Sequence, residues 1–242
     1  MTINVAHRGN PDEAPESTLA AFASALGIGV DMIEFDVHRL ADGELAVMHD
    51  PTVDRCTDGT GALAEMTIGK VRGLDAGAWF SPEFAGQRVP TLAEALAAIP
   101  APVRLNIHLK TVRDEDESFE ESVLEHIRAA GAEERALIVH HHQPSLDRLR
   151  AVAPELEYCL LPMCSDGLEY IGRANAEGFK VLQPGRGMMS EDFCRAVHER
   201  GMHANVFYAD TREDMEQYIA WGIDGILTNR PRLLREVLGQ RQ

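Results

Sequence analysis

Two kinds of pattern take turns along the chain. Short β-rich stretches predict strands at 3–8, 31–37, 44–50, 103–109, 136–141, 156–162, 180–184, 203–207 and 224–229. Between them, apolar residues recur three and four apart, which predicts helices at 17–29, 91–100, 119–131, 144–154, 191–201 and 211–222. Punctuation agrees with these periods. Ser17 or Thr18 can cap the first helix, Gly131 and Gly201 stand where helices end, and Pro154 closes another.

Strand and helix in strict succession predict an α/β fold with a parallel sheet and helices outside it. The number of units favours a closed (β/α)8 TIM barrel over an open doubly wound sheet, and no Gly-rich dinucleotide fingerprint follows the first strand. Residues 51–90 do not fit a strand–helix unit and read as a small insertion after the second βα region. With no linker, repeat or low-complexity run, residues 1–242 read as a single domain. In such a barrel, a site is expected where the strands end.

Composition narrows the partners. The chain is 45% hydrophobic and 26% charged, and no apolar run reaches the roughly 20 residues of a membrane span. The N-terminal MTINVAHRGN has no charged segment followed by an apolar one, so a cytoplasmic location is expected. The formal charge of −16 opposes nucleic acid and anionic membrane surfaces as partners. Cys56, Cys159, Cys164 and Cys194 form no CxxC pair and read as packing residues.

The polar residues at predicted strand ends carry the chemistry. His7 and Arg8 follow the first strand, Glu34 and Asp36 share one face of the second, and His49 and Asp50 end the 44–50 segment. RLNIHLKT, residues 104–111, puts Asn106, His108 and Lys110 on one face. A carboxylate pair at i, i+2 in a desolvated barrel mouth is costly unless salt-bridged or bound to a hard divalent cation. His7 and His49 can divide the proton transfers, because imidazole titrates near neutral pH. Arg8 and Lys110 supply fixed positive charge for an oxyanion such as phosphate.

HRGNPDEAPESTLAAFASAL, then GVDMIEFDVHRLADGELAVMHDPTVDRCTDGTG, LDAGAWFSPEFAGQRVPTLAEAL, LNIHLK and GIDGILTNRP, form an ordered series over nearly the whole chain. The series resembles the glycerophosphodiester phosphodiesterases. The resemblance implies a TIM barrel that uses a divalent metal ion, magnesium, calcium or manganese, to cleave a small-molecule phosphodiester to glycerol 3-phosphate and an alcohol. It also implies Glu34 and Asp36 as metal ligands and His7 and His49 as the acid/base pair. Arg8 and Lys110 would bind phosphate, with Glu16 and Asn10 as supporting or glycerol contacts and Phe207 as an aromatic wall.

The same resemblance exposes departures. Where L-N-I-E-x-K is usual, with the glutamate a third metal ligand, this chain has His108. Three readings of it are open: a metal ligand that shifts preference toward manganese, cobalt or zinc, a phosphate donor beside a weakly held metal, or loss of metal and activity. The HHH of residues 140–142 replaces a usual Ser-Phe pair, and His140 is expected to join His108 in a histidine-rich mouth. FYAD, residues 207–210, replaces W-T-V-N, and Asn229 stands where aspartate is common.

Other features admit two uses each. Trp79, Phe80 and Phe84 read as a lid or as packing, and the acidic run 114–121 as a solvated helix start. Met188 and Met189 read as pocket lining or filler, and Arg186 as an anion contact. The rival functions are a headgroup phosphodiesterase or cyclic-phosphate-forming lyase within enzymes, and outside them a barrel that binds the diester without cleaving it. Oligomeric state is unread, although exposed aromatics would permit a dimer contact.

Overall fold

The computed structural model describes residues 1–110 and 117–239. In chain order the elements are β1 (Ile3–His7), α1 (Leu19–Ile28), β2 (Met32–Arg39), β3 (Leu45–Val47), α2 (Ile68–Val71), α3 (Leu92–Ala98), β4 (Arg104–Leu109), α4 (Glu117–Ala129) and β5 (Ala136–His140). They continue as α5 (Gln143–Val152), β6 (Glu157–Leu160), α6 (Gly167–Ala176), β7 (Val181–Leu182), α7 (Glu191–His198), β8 (His203–Phe207), α8 (Arg212–Ala220), β9 (Gly225–Thr228) and α9 (Pro231–Gly239). Parallel ladders join β6-β5-β4-β2-β1-β9-β8-β7, and β6 packs beside β7 to bring the barrel nearly to closure. The TIM barrel is therefore present.

Alternation along each stave sorts side chains into two cores. Ile33, Phe35, Leu105, Ile107, Ile138 and Ile226 face outward beneath the helices, while Val5, Met32, Leu137, Val139, Cys159 and Leu227 fill the barrel's inside. On β2, the residues on the same face as Met32 are Glu34 and Asp36. The stave that supplies apolar filling at its start thus supplies carboxylates at its end. Phe22 of α1 packs on Phe35 with ring centroids 5.8 Å apart, both fully buried, and burying each ring contributes about 2 kcal/mol.

Helix starts follow the capping signals. Thr18 caps α1 by accepting from the Ala21 amide, and Thr91 with Glu94 forms a capping box on α3. Three helices, the short α2 within the insertion and α6 and α9, lie outside the predicted ranges. The predicted acidic run falls partly outside the described residues, and α4 begins at Glu117.

The segment predicted as a strand at 44–50 is not a stave. Its three-residue β3 pairs antiparallel to β2, with Val37 opposite Val47 and Arg39 opposite Leu45. Its apolar run is buried on both faces of this flap, Leu45 and Val47 in the main core and Ala46 and Met48 in the core of the insertion. The flap opens the insertion, which lies between β2 and α3 and carries its own core of Met48, Val53, Leu63, Met66, Val71 and Val89.

Candidate active site

A cavity of about 300 Å³ opens at the C-terminal ends of the staves. It is lined by the polar groups His7, Arg8, Glu34, Asp36, His49, His108 and Lys110, and by His141, Leu161, Pro162, Gln183, Gly185 and Phe207. A larger groove of about 570 Å³ runs past Arg150 and Phe179. It lies at the N-terminal ends of β6 and β7, the face where barrel residues serve stability, so the smaller cavity is the candidate site.

Glu34, Asp36 and His108 each bring one ligand-type atom to within 4.8 Å of the others. The register explains this, because β2 and β4 pair with Glu34 beside Asn106 and Asp36 beside His108. Both carboxylates are almost wholly buried. His108 Nδ1 and Lys110 Nζ stand 3.0 and 3.1 Å from Asp36 Oδ1. Burial alone would raise the Asp36 pKa, but His108 and Lys110 more than offset it and hold the group below its ordinary value. Burial, and then the Asp36 charge, push Glu34 the other way.

Asp36 Oδ1 is met by His108 and Lys110, but other buried atoms in this cluster lack hydrogen-bond partners among the described residues: Oδ2 of Asp36, Nε2 of His108 and Nε of Arg8. An unsatisfied carboxylate oxygen and an imidazole nitrogen left without a partner are expensive in a dry site. A divalent cation satisfies them, so the donor set fits a metal ion.

His7 ends β1 on the other side of the cluster. Its Nδ1 lies 2.7 Å from Asn229 Oδ1, and its Nε2 lies 3.8 Å from Glu34 Oε2. Burial, with Arg8 nearby, lowers its pKa to about 4, so the ring is neutral at pH 7. Next to it Arg8 adopts a left-handed φ of 56°, and its backbone N–H donates to the carbonyl and to Oε2 of Glu34.

His49 sits two residues past β3, with Nδ1 2.6 Å from Asp50 Oδ1. Asp50 accepts from Arg55, which also donates two hydrogen bonds to Glu16, and Glu16 accepts from Arg8. A chain of alternating charge therefore links the flap histidine to the residue after His7.

Several predicted contacts sit elsewhere. Asn10 is fully buried but does not line the cavity. Its side-chain amide donates to Ser24 of α1, and its carbonyl accepts the Glu13 and Ala14 amides, so it shapes the turn after the His-Arg-Gly segment. Glu16 touches Arg8 and Arg55 rather than the cavity. Phe207 lines it and meets His7 edge-on at 5.2 Å.

His141, not His140, joins His108: their rings stack at 5.4 Å, while His140 faces outward toward His142. The reason is register, since Leu137 and Val139 point into the barrel and His141 continues that face. Trp79, Phe80 and Phe84 pack on one another away from the cavity, and Arg186 pairs with Asp214 at 2.7 Å. Met188 and Met189 pack on the outer core. Gln183, which accepts from Asn106 across the barrel floor, carried no sequence signal.

The glycerophosphoryl diester phosphodiesterase family model matches residues 7–233. A glycerophosphodiester phosphodiesterase of Caldanaerobacter subterraneus subsp. tengcongensis is 35% identical over 234 residues, covering 96% of both chains. The crystal structure of a glycerophosphodiester phosphodiesterase from Agrobacterium tumefaciens superposes with a TM-score of 0.85 at 28% identity, over 98% of this chain and 100% of that one. An Oleispira antarctica phosphodiesterase in complex with the product sn-glycerol-3-phosphate shares the fold with a TM-score of 0.89 at 23% identity, over 97% and 96% of the two chains.

Proposed function

The chain belongs to the glycerophosphoryl diester phosphodiesterase family, and from that premise we propose that it hydrolyses a glycerophosphodiester to glycerol 3-phosphate and an alcohol with the help of a divalent cation. The observation that carries this reading is the cluster of Glu34, Asp36 and His108, with its unsatisfied buried atoms, between a neutral histidine and two fixed cations. Glu34, Asp36 and His108 would hold the cation. When bound, it supplies Lewis-acid neutralisation of phosphoryl oxygens.

The chain's own groups do the rest. Arg8 and Lys110 flank Asp36 and present permanent positive charge to the phosphate's remaining oxygens. His7, neutral at pH 7, accepts at Nε2 a proton from the attacking water. His49, whose Nδ1 is held by Asp50, gives the proton from its other nitrogen to the departing alkoxide. Phe207, Leu161 and Pro162 supply the apolar part of the lining, on which the organic part of the diester rests. Imidazole in place of a third carboxylate lowers the ligand charge and favours manganese, cobalt or zinc over calcium.

The experiment is hydrolysis of glycerophosphocholine and glycerophosphoethanolamine by chelator-stripped protein, with magnesium, calcium, manganese, cobalt and zinc restored singly. Turnover is expected to return best with the transition ions. No turnover of either diester with any ion, in protein that binds the ions, would overturn the hydrolytic reading for these substrates.

A further inference from the structure

Asp210 and Asn229, 19 positions apart in sequence, meet beside His7. Asn229 Nδ2 donates to Asp210 Oδ2 at 2.6 Å, and the Asn229 backbone N–H donates to Asp210 Oδ1 at 2.8 Å. Thr228 Oγ1 donates to the same oxygen at 2.9 Å.

A carboxylate only accepts, so it can face the amide's NH₂ and not its oxygen. Asp210 therefore fixes which way Asn229 points, and the amide oxygen is left to face His7 Nδ1 at 2.7 Å. An amide oxygen in turn accepts only from N–H. The ring must carry its neutral-state proton on Nδ1, and Nε2 keeps its lone pair toward the cavity.

We infer that Asp210 and Asn229 form a carboxylate–amide pair that sets the tautomer of His7, with Asp210 acting through Asn229 as a positioning residue. This rests on the reading of His7 as the proton acceptor. If Asn229 were reversed, its NH₂ would face Nδ1 and favour the Nε2–H tautomer, which has no lone pair to offer the attacking water. Exchanging the two side chains would keep one carboxylate and one amide in the pair, so either single replacement breaks a match that the double replacement restores. Asn229→Asp sets two carboxylates against each other. Asp210→Asn sets two amides together and releases the orientation.

The test uses the full chain labelled with ¹⁵N-histidine, with His7→Ala to assign the His7 signals. Long-range ¹H–¹⁵N correlation at pH 7.5 on metal-free protein reads the tautomer, and turnover of glycerophosphocholine is followed in the metal-loaded form. Wild type is expected to show the Nδ1–H pattern. Asn229→Leu and Asp210→Asn should show a mixed or Nε2–H pattern, with kcat down about ten- to a hundredfold and KM little changed. Asp210→Asn combined with Asn229→Asp should recover both kcat and the Nδ1–H pattern above either single variant, which a merely structural role would not do.

An Nε2–H pattern in wild type, or the Nδ1–H pattern and full kcat in Asn229→Leu, would overturn the inference. A double variant no better than the poorer single one would overturn the pairing. Undiminished turnover in His7→Ala would instead remove the proton-acceptor reading, and the catalytic consequence with it, whatever the spectra show.

Discussion

His141 lies against His108 with ring centroids 5.4 Å apart and planes inclined by 28°. The stack limits rotation of the His108 ring, which keeps its Nδ1 3.0 Å from Asp36. If His108 ligates the ion as proposed, a ring held this way loses less freedom on binding than a loose one. The flanking imidazole of His141 would then raise ion affinity without entering the ligand cluster.

Removing the imidazole should show directly in ion binding. His108→Ala is expected to weaken manganese or zinc affinity by at least about tenfold in calorimetric titration of chelator-stripped protein, and His141→Ala by less. His108→Glu should move preference toward magnesium and calcium, since it restores an oxygen ligand and one negative charge. Unchanged affinity in His108→Ala would exclude that residue from the ligand set.

Acid stability follows from the buried histidines. Burial, with the neighbouring His108, His141 and His142, lowers the His140 pKa to about 3, and the His7 pKa is lowered to about 4. Both folded values lie below the ordinary 6.5, so between pH 6.5 and pH 4 the unfolded chain takes up protons that the folded one refuses. The stability each contributes is complete above pH 6.5 and falls as pH drops, by about 3 kcal/mol at pH 4 for His140. His140→Phe, apolar and of similar size, should flatten the decline in Tm across this window. Parallel curves for wild type and variant would mean that His140 is not held neutral.

Gly9 tests the backbone that aims His7 and Arg8. Its φ is +87°, and a Cβ there would sit 2.7 Å from the Ala21 carbonyl carbon and 2.8 Å from the Ala21 Cβ. Helix α1 cannot yield at that point, since Ala21 is fully buried. Gly9→Ala is expected to cost more than about 1 kcal/mol, the usual penalty of strained backbone at positive φ. It should also lower kcat by displacing Arg8, whereas Gly86→Ala, at φ +90° but with nothing within 4 Å, should affect stability alone. Equal effects on turnover would remove the argument that the Gly9 turn aims the site.

The barrel was legible because staves and helices have different periods, and the site because its charged residues lie at stave ends. What misled was local pattern met by a different partner. Residues 44–50 are as β-rich as any stave, yet they pair antiparallel with the end of β2. At 140–142 alternation correctly separates His141 from its neighbours, but a stave buried on both faces is apolar on both, so nothing local says which face is inside. Asn10 stood beside the motif residues in sequence and turns away from them in space. The Asp210–Asn229 contact spans 19 positions, and sequence shows two unrelated departures where the fold shows one pair.

Arg55 is the last group whose role can be separated from stability. It is half-exposed, and it donates to Asp50 at 2.6 Å and to Glu16 at 2.7 and 2.9 Å. Exposed ion pairs contribute about 0–1 kcal/mol, so Arg55→Leu should barely move Tm. Turnover should respond more, because Asp50 would lose the partner that aims it at His49 Nδ1, and a fall of about tenfold in kcat is expected. Arg55→Lys should recover little, since one ammonium cannot reproduce a fork that grips two carboxylates. If the effect passes through Asp50, Asp50→Asn should lower kcat similarly, and the double variant should be hardly worse than either single one. Fully multiplying losses in that double-mutant cycle would show that Arg55 acts on turnover by another route.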